Sequence, residues 1–162
     1  PHELLKNIVS KEEILEDFYP LTQNQLEVYW QCLKDPEDLS HNLCKKIEFA
    51  SPVDVDKLKN SICKAVDNHP YLKTGIVMRN GEVYLERKYV DVGDLVETAG
   101  GEIDINDFER PFNLEESLFR FRIVNGSVLL ADFHQIIVDE ASLAILFDEI
   151  AKIYDGDEYE LE

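Results

Sequence analysis

Residues Leu118–Ser142 read LFRFRIVNGSVLLADFHQIIVDEAS, and the order of signals in this stretch decides what kind of fold the chain builds. Asn125-Gly126 separates two apolar runs, Leu118–Val124 and Ser127–Ile137. Asn and Gly both tolerate the positive φ of a type I′ turn, so the runs are expected to pair as an antiparallel hairpin. From Val128 to Ile137 nearly every residue is apolar, which suits a central strand covered on both faces and leaves His134 at least partly buried. The strand then meets a helix. Asp139 or Ser142 can cap it, and Leu143, Leu146, Phe147, Ile150 and Ile153 form a broad apolar face ending before Asp155-Gly156-Asp157.

Upstream, Asn80-Gly81 marks a second hairpin between Thr74–Arg79 and Glu82–Lys88, and Gly100-Gly101 with its acidic surroundings reads as a loop between the hairpins. Residues Leu43–Ala50 alternate, with Leu43, Lys45, Ile47 and Phe49 on one face. Asp54 can cap a helix carrying Val55, Leu58, Ile62, Ala65 and Val66 on one stripe, which stops near Asn68-His69-Pro70. Tyr19-Pro20-Leu21 reads as extended, because the residue before proline avoids the helical region. Thr22-Gln23-Asn24-Gln25 then spells a capping box, and Leu26, Tyr29, Trp30 and Leu33 follow at helical spacing from about Gln23. Residues 3–17 hold two short amphipathic patterns; residues 158–162 have none. The expected division is a helical segment at 1–18 and one domain at 19–162. Its expected class is α/β (α+β), a two-layer sandwich of a mixed, largely antiparallel sheet with flanking helices.

The chain has 162 residues, enough to bury a sizeable core without disulfides or metals. Its 16 Lys+Arg against 34 Asp+Glu leave a formal charge of -18, which repels phosphate backbones and anionic lipid surfaces. Nucleic acid and membrane are therefore not expected partners. Cys32, Cys44 and Cys63 are too few and too scattered for a disulfide framework or zinc knuckle, which fits a reducing, cytoplasmic setting. No secretory signal pattern opens the chain, and an initial Pro1 suggests a piece of something longer.

No Gly-x-Ser-x-Gly, catalytic-cysteine context, Gly-rich phosphate loop or metal-ligand spacing among His2, His41, His69 and His134 occurs. His134 with Asp132 two residues back can be a base with its orienting carboxylate, or simply satisfied structure. Asp139 has the ordinary reading of a helix N-cap. Gln135 cannot serve as a general base near neutral pH, though its amide can donate and accept hydrogen bonds.

Several segments together resemble the condensation domains of nonribosomal peptide synthetases, in the chloramphenicol acetyltransferase-like superfamily. Tyr19-Pro20-Leu21-Thr22-Gln23-Asn24-Gln25 with Trp30 is similar to the family's first motif. Asn68-His69-Pro70-Tyr71-Leu72-Lys73-Thr74 resembles its second, and Arg110-Pro111-Phe112-Asn113-Leu114 with Leu118-Phe119-Arg120 its Pro-Phe-Asp-Leu segment. The signature His-His-x-x-x-Asp-Gly aligns with His134-Gln135-Ile136-Ile137-Val138-Asp139-Glu140, and Tyr154-Asp155-Gly156 resembles the family's closing Tyr-x-Gly.

The resemblance implies one lobe of the chloramphenicol acetyltransferase-like fold and an amide-forming transferase. Its substrates would ride on the phosphopantetheine of carrier proteins, with no cofactor bound directly, beside carrier and adenylation domains. It places Gln135 where the family's working histidine belongs, keeps His134 and Asp139 as the mostly structural members, and puts Glu140 in place of a glycine that leaves room for substrate. Asn68 and Lys73 stand where the second motif has arginines. Family members have two lobes with the active site between them, and here only the N-terminal lobe is complete. Three roles follow as expectations: a catalytically silent condensation lobe, a docking platform for neighbouring synthetase domains, or a divergent acyltransferase using His134. Carrier docking on so acidic a chain would need a basic patch, such as one including Lys45, Lys46 or Lys73.

Overall fold

The computed structural model describes residues 18–156. The expected helical segment at 1–18 lies outside these residues except for Phe18, which opens a strand instead. Strands β1 (Phe18–Pro20), β3 (Thr74–Arg79) and β4 (Glu82–Arg87) form a three-stranded antiparallel sheet in the order β1-β4-β3. Strands β2 (Asn42–Glu48), β5 (Val96–Ala99), β6 (Phe119–Val124) and β7 (Val128–His134) form a four-stranded mixed sheet in the order β2-β7-β6-β5. Only β5 and β6 run parallel within it. Helices α1 (Gln23–Lys34), α2 (Val55–Asp67), the single turn α3 (Ile105–Phe108) and α4 (Glu140–Tyr154) complete the mixed α/β architecture.

Both Asn-Gly pairs turn hairpins with positive φ at both residues: 53° and 80° at Asn80 and Gly81, 57° and 63° at Asn125 and Gly126. In the second hairpin Val124 faces Val128, so Ser127 is an extra loop residue whose N–H donates to Val124 O at 3.0 Å. The carbonyls of Gly126 and Ser127 accept from Val53 and Phe49, which ties the turn to the chain leading from β2 into α2.

All seven residues of β7 are buried, as its unbroken apolar run requires. The cross-strand partners Phe119–Phe133, Phe121–Ala131 and Ile123–Leu129 enter one core with Leu58, Ile62, Ala65 and Val66 of α2 and Leu143, Leu146 and Ile150 of α4. The rings of Phe119, Phe121 and Phe133 lie 5.4–6.0 Å apart between centroids, a spacing that adds about 0.5–1.5 kcal/mol per pair beyond area burial. Phe108, Val124, Val128 and Leu130 form a second, smaller cluster.

Four details depart from the sequence expectation. The last strand ends at His134, not Ile137, because Gln135 N–H turns to His41 O at 2.9 Å and Ile137 N–H closes a turn on His134 O at 3.1 Å. The acidic stretch expected as a loop contains β5, where Glu97 lies opposite Arg122 and pairs with it at 2.8 Å. The strands, expected in one mixed, largely antiparallel sheet, divide between two sheets. Helix α1 starts at Gln23 with its capping box formed, yet only Tyr29 is buried, while Trp30 and Leu33 are each 48% exposed.

Candidate functional site

The end of β7 and the start of α4 hold the signature residues in a short turn. Asp139 caps α4, its Oδ1 accepting Ser142 N–H at 2.7 Å, and that bond lowers its carboxyl below the ordinary range. The turn is held from outside by one amide that sequence reasoning assigned only to a capping box. Gln25 Nε2 donates to Ile136 O at 2.6 Å and to Tyr71 OH at 2.7 Å, while its Oε1 accepts Thr22 N–H at 2.8 Å. Gln25 thereby joins the first and second motif segments to the signature turn.

His134 is 3% exposed. Its Nδ1 accepts Ile136 N–H at 3.1 Å, so the neutral ring carries its proton on Nε2, which faces Cys32 Sγ at 3.4 Å. Burial, with a smaller push from His41, holds the imidazole down at about 4. His134 is thus neutral near pH 7, with its acceptor nitrogen already engaged.

The expected pairing of His134 with Asp132 is not formed. Asp132 Oδ2 accepts instead from Arg120 NH1 at 2.7 Å and Asn42 Nδ2 at 3.2 Å. Burial outweighs these partners, pushing Asp132 up to about 6 and Arg120 down to about 10. Arg120 also donates to Arg110 O at 2.9 Å and lies 3.7 Å over the Phe112 ring, which in turn meets His134 edge-on at 6.1 Å.

Gln135 is exposed, and its Oε1 accepts from His41 Nδ1 at 3.3 Å. Although consecutive, His134 and Gln135 face different spaces. His134 lines a cavity of about 340 Å³ with Tyr29, Cys32, Leu33, Met78 and Phe112. Gln135 lines a groove of about 500 Å³ with Gln25, Val28, Leu43, Val138 and Glu140. Glu140 forms an ion pair with Lys45 at 2.8 Å. The second motif is locked to α4 elsewhere: fully buried Glu149 accepts from Asn68 Nδ2 and bonds His69 Nε2, both at 2.7 Å.

The three lysines that could contribute to a basic patch are each ion-paired. Lys45 pairs with Glu140, Lys46 with Glu48 at 3.1 Å and Lys73 with Asp67 at 2.7 Å, and Lys45 and Lys46 alternate across β2. Among the described residues no helix is long and apolar enough to cross a membrane.

The mixed α/β lobe with its strand-to-helix turn is that of a known family. The Condensation domain family matches residues 15–162, and the chain belongs to that family. It is 32% identical over 159 residues to bacitracin synthase 3 of Bacillus licheniformis, covering 93% of this chain and 2% of that protein. It is 30% identical over 153 residues to surfactin synthase subunit 2 of Bacillus subtilis (strain 168), covering 88% and 4%. Among solved structures it resembles the starter condensation domain of rhizomide synthetase, with TM-score 0.76 at 12% identity, over 89% of this chain and 40% of that one. The first condensation domain of the CDA synthetase gives TM-score 0.72 at 17% identity, over 91% and 41%. The chain therefore spans about two-fifths of these solved domains and a few per cent of the synthetases.

Proposed function

We propose that residues 19–162 are the N-terminal lobe of a nonribosomal peptide synthetase condensation domain, catalytically silent by itself. In the reaction implied by the family, an amine attacks a carrier-bound thioester. The N–C bond forms, the C–S bond breaks, the thiol leaves, and the surplus proton of the amine must be taken up or its charge stabilised. Gln135 stands where the family's working imidazole belongs. A carboxamide cannot accept that proton near neutral pH, and loss of a positioned acid–base group costs about 10²–10⁴-fold in rate. The carrying observation is that Gln135 is exposed and bonded to His41, on a turn whose supports, Asp139 and Gln25, are intact. His134 is a poor substitute base, since Ile136 N–H occupies its Nδ1 and burial keeps it neutral. In this reading Asp139 maintains the turn and Glu140 replaces open space with a charge.

Carrier proteins bearing phosphopantetheine-linked substrates and an adenylation domain are the proposed partners, in the cytoplasm. A docking role is favoured by one further observation: Leu33 and Met78 line the His134 cavity yet are exposed, and Trp30, one turn before Leu33 on α1, is exposed as well. Trp30 is the only tryptophan of the chain, so its fluorescence reports on that face directly. Titration with neighbouring synthetase domains should shift the Trp30 emission to the blue and raise the thermal midpoint of the chain. An unchanged spectrum and midpoint would sink the docking role. Mass-spectrometric detection of amide from loaded carriers, lost on Gln135→Ala, would sink the silent-lobe reading.

A further inference from the structure

Cys44, Asp132 and Arg120 form a row across β2, β7 and β6, since Cys44 and Arg120 are the direct cross-strand partners of Asp132. Glu109, which ends α3, comes to the same place. The Asp132 side chain is fully buried; its Oδ2 is taken by Arg120 and Asn42, while its Oδ1 has no hydrogen-bond partner. A buried carboxylate oxygen left without a partner is uncommon and calls for an explanation.

A ligand atom from each of Cys44, Glu109 and Asp132 lies within 4.8 Å of the others. Atoms so spaced share a point at most about 2.8 Å from each, and zinc bonds of roughly 2.0–2.3 Å are reached from there by small side-chain rotations. We propose that Cys44, Glu109 and Asp132 bind one Zn²⁺, with solvent as its fourth ligand.

Charge supports the assignment. With Cys44 as a thiol, two carboxylates and the Arg120 guanidinium leave one net negative charge. Zn²⁺ with the thiolate, two carboxylates and Arg120 sums to zero. Arg120 and Asn42 hold the Oδ2 side of the carboxylate and so orient it. A thiolate with two carboxylates suits zinc better than calcium or magnesium. The ion would tie β2 and β7 to the segment leading to Phe112, the ring that packs on His134. This site is independent of whether the lobe is catalytically silent.

The test is calorimetric titration of the metal-free full chain with Zn²⁺ in excess Ca²⁺, which occupies diffuse acidic sites, and absorbance titration with Co²⁺. The expected result is one Zn²⁺ per chain with release of the Cys44 proton, and a near-ultraviolet thiolate-to-cobalt band. Cys44→Ser should remove the band and weaken Zn²⁺ at least tenfold, as should Glu109→Gln, which leaves the buried Asp132–Arg120 pair in place. Cys63→Ser should change neither. Absence of binding, several weak equivalents displaced by Ca²⁺, or a band that survives Cys44→Ser would each overturn the site.

Discussion

Mild acid should destabilise this protein through His134. The ring is buried, its Nδ1 accepts Ile136 N–H, and burial with the field of His41 holds it at about 4 against an ordinary 6.5. As pH falls through 6.5 the unfolded chain takes up a proton on this ring and the folded chain does not. The stability it contributes is therefore full above pH 6.5 and is lost as pH falls towards 4. At 1.36 kcal/mol per unit the whole effect is about 3 kcal/mol, of which about 2 kcal/mol falls between pH 7.5 and 5.0. Asp132 runs the other way. Its pKa is raised from 3.8 to about 6, so its contribution is full below 3.8 and is lost as pH rises through 6. The two groups mask each other in wild-type data alone. The comparison is therefore with His134→Asn, whose amide oxygen can still accept Ile136 N–H while carrying no titrating ring. Urea unfolding of both proteins at pH 7.5, 6.5, 5.8 and 5.0 is the assay. The wild-type-minus-variant stability should fall by about 2 kcal/mol across that range. A flat difference, or an imidazole that titrates near 6.5 by NMR, would refute the placement of His134 as a neutral, engaged ring.

Three further outcomes rest on single contacts. Asp139→Ala removes the α4 cap and should cost about 1 kcal/mol by urea denaturation, with Asp139→Asn recovering most of it. Glu149→Leu leaves Asn68 and His69 without their buried acceptor and should cost about 2–3 kcal/mol, more than Glu149→Gln, as read by thermal or urea unfolding. Gly75→Ala should lose about 1–3 kcal/mol, because a Cβ there would sit 2.7 Å and 2.8 Å from the backbone oxygens of Glu116 and Glu115. An Ala variant as stable as wild type would show that the segment carrying Glu115 and Glu116 gives way.

Local signals in the chain carried most of the fold. Asn80-Gly81 and Asn125-Gly126 need positive φ and obtained it, Thr22 and Asp139 cap the helices expected of them, and the apolar run after Ser127 became an interior strand. What stayed hidden depends on partners distant in sequence. Val96–Ala99 is only four residues long, and becomes a strand by pairing in parallel with β6, where Arg122 lies opposite Glu97. Trp30 and Leu33 keep helical spacing but remain exposed, since periodicity says which residues share a face and not what covers it. At the site, Gln135, Asp139 and Glu140 are candidates named from the signature spacing, and they lie together on the turn from β7 into α4. The pairing of His134 with Asp132 failed because same-face residues on β7 each found closer partners, Ile136 N–H for one and Arg120 on β6 for the other. Gln25 gave no warning of its second task, because a capping-box glutamine needs only Thr22 and its links to Tyr71 and Ile136 span 46 and 111 positions.

The central claim concerns Gln135, and single-turnover amide formation tests it most directly. The purified chain is mixed with an acyl-loaded donor carrier and an aminoacyl-loaded acceptor carrier, and the amide product is followed beside Gln135→Ala and a protein-free control. Indistinguishable rates at the uncatalysed level are predicted. A wild-type rate at least tenfold above both, abolished by Gln135→Ala, would contradict the account and make the Gln135 amide a working group.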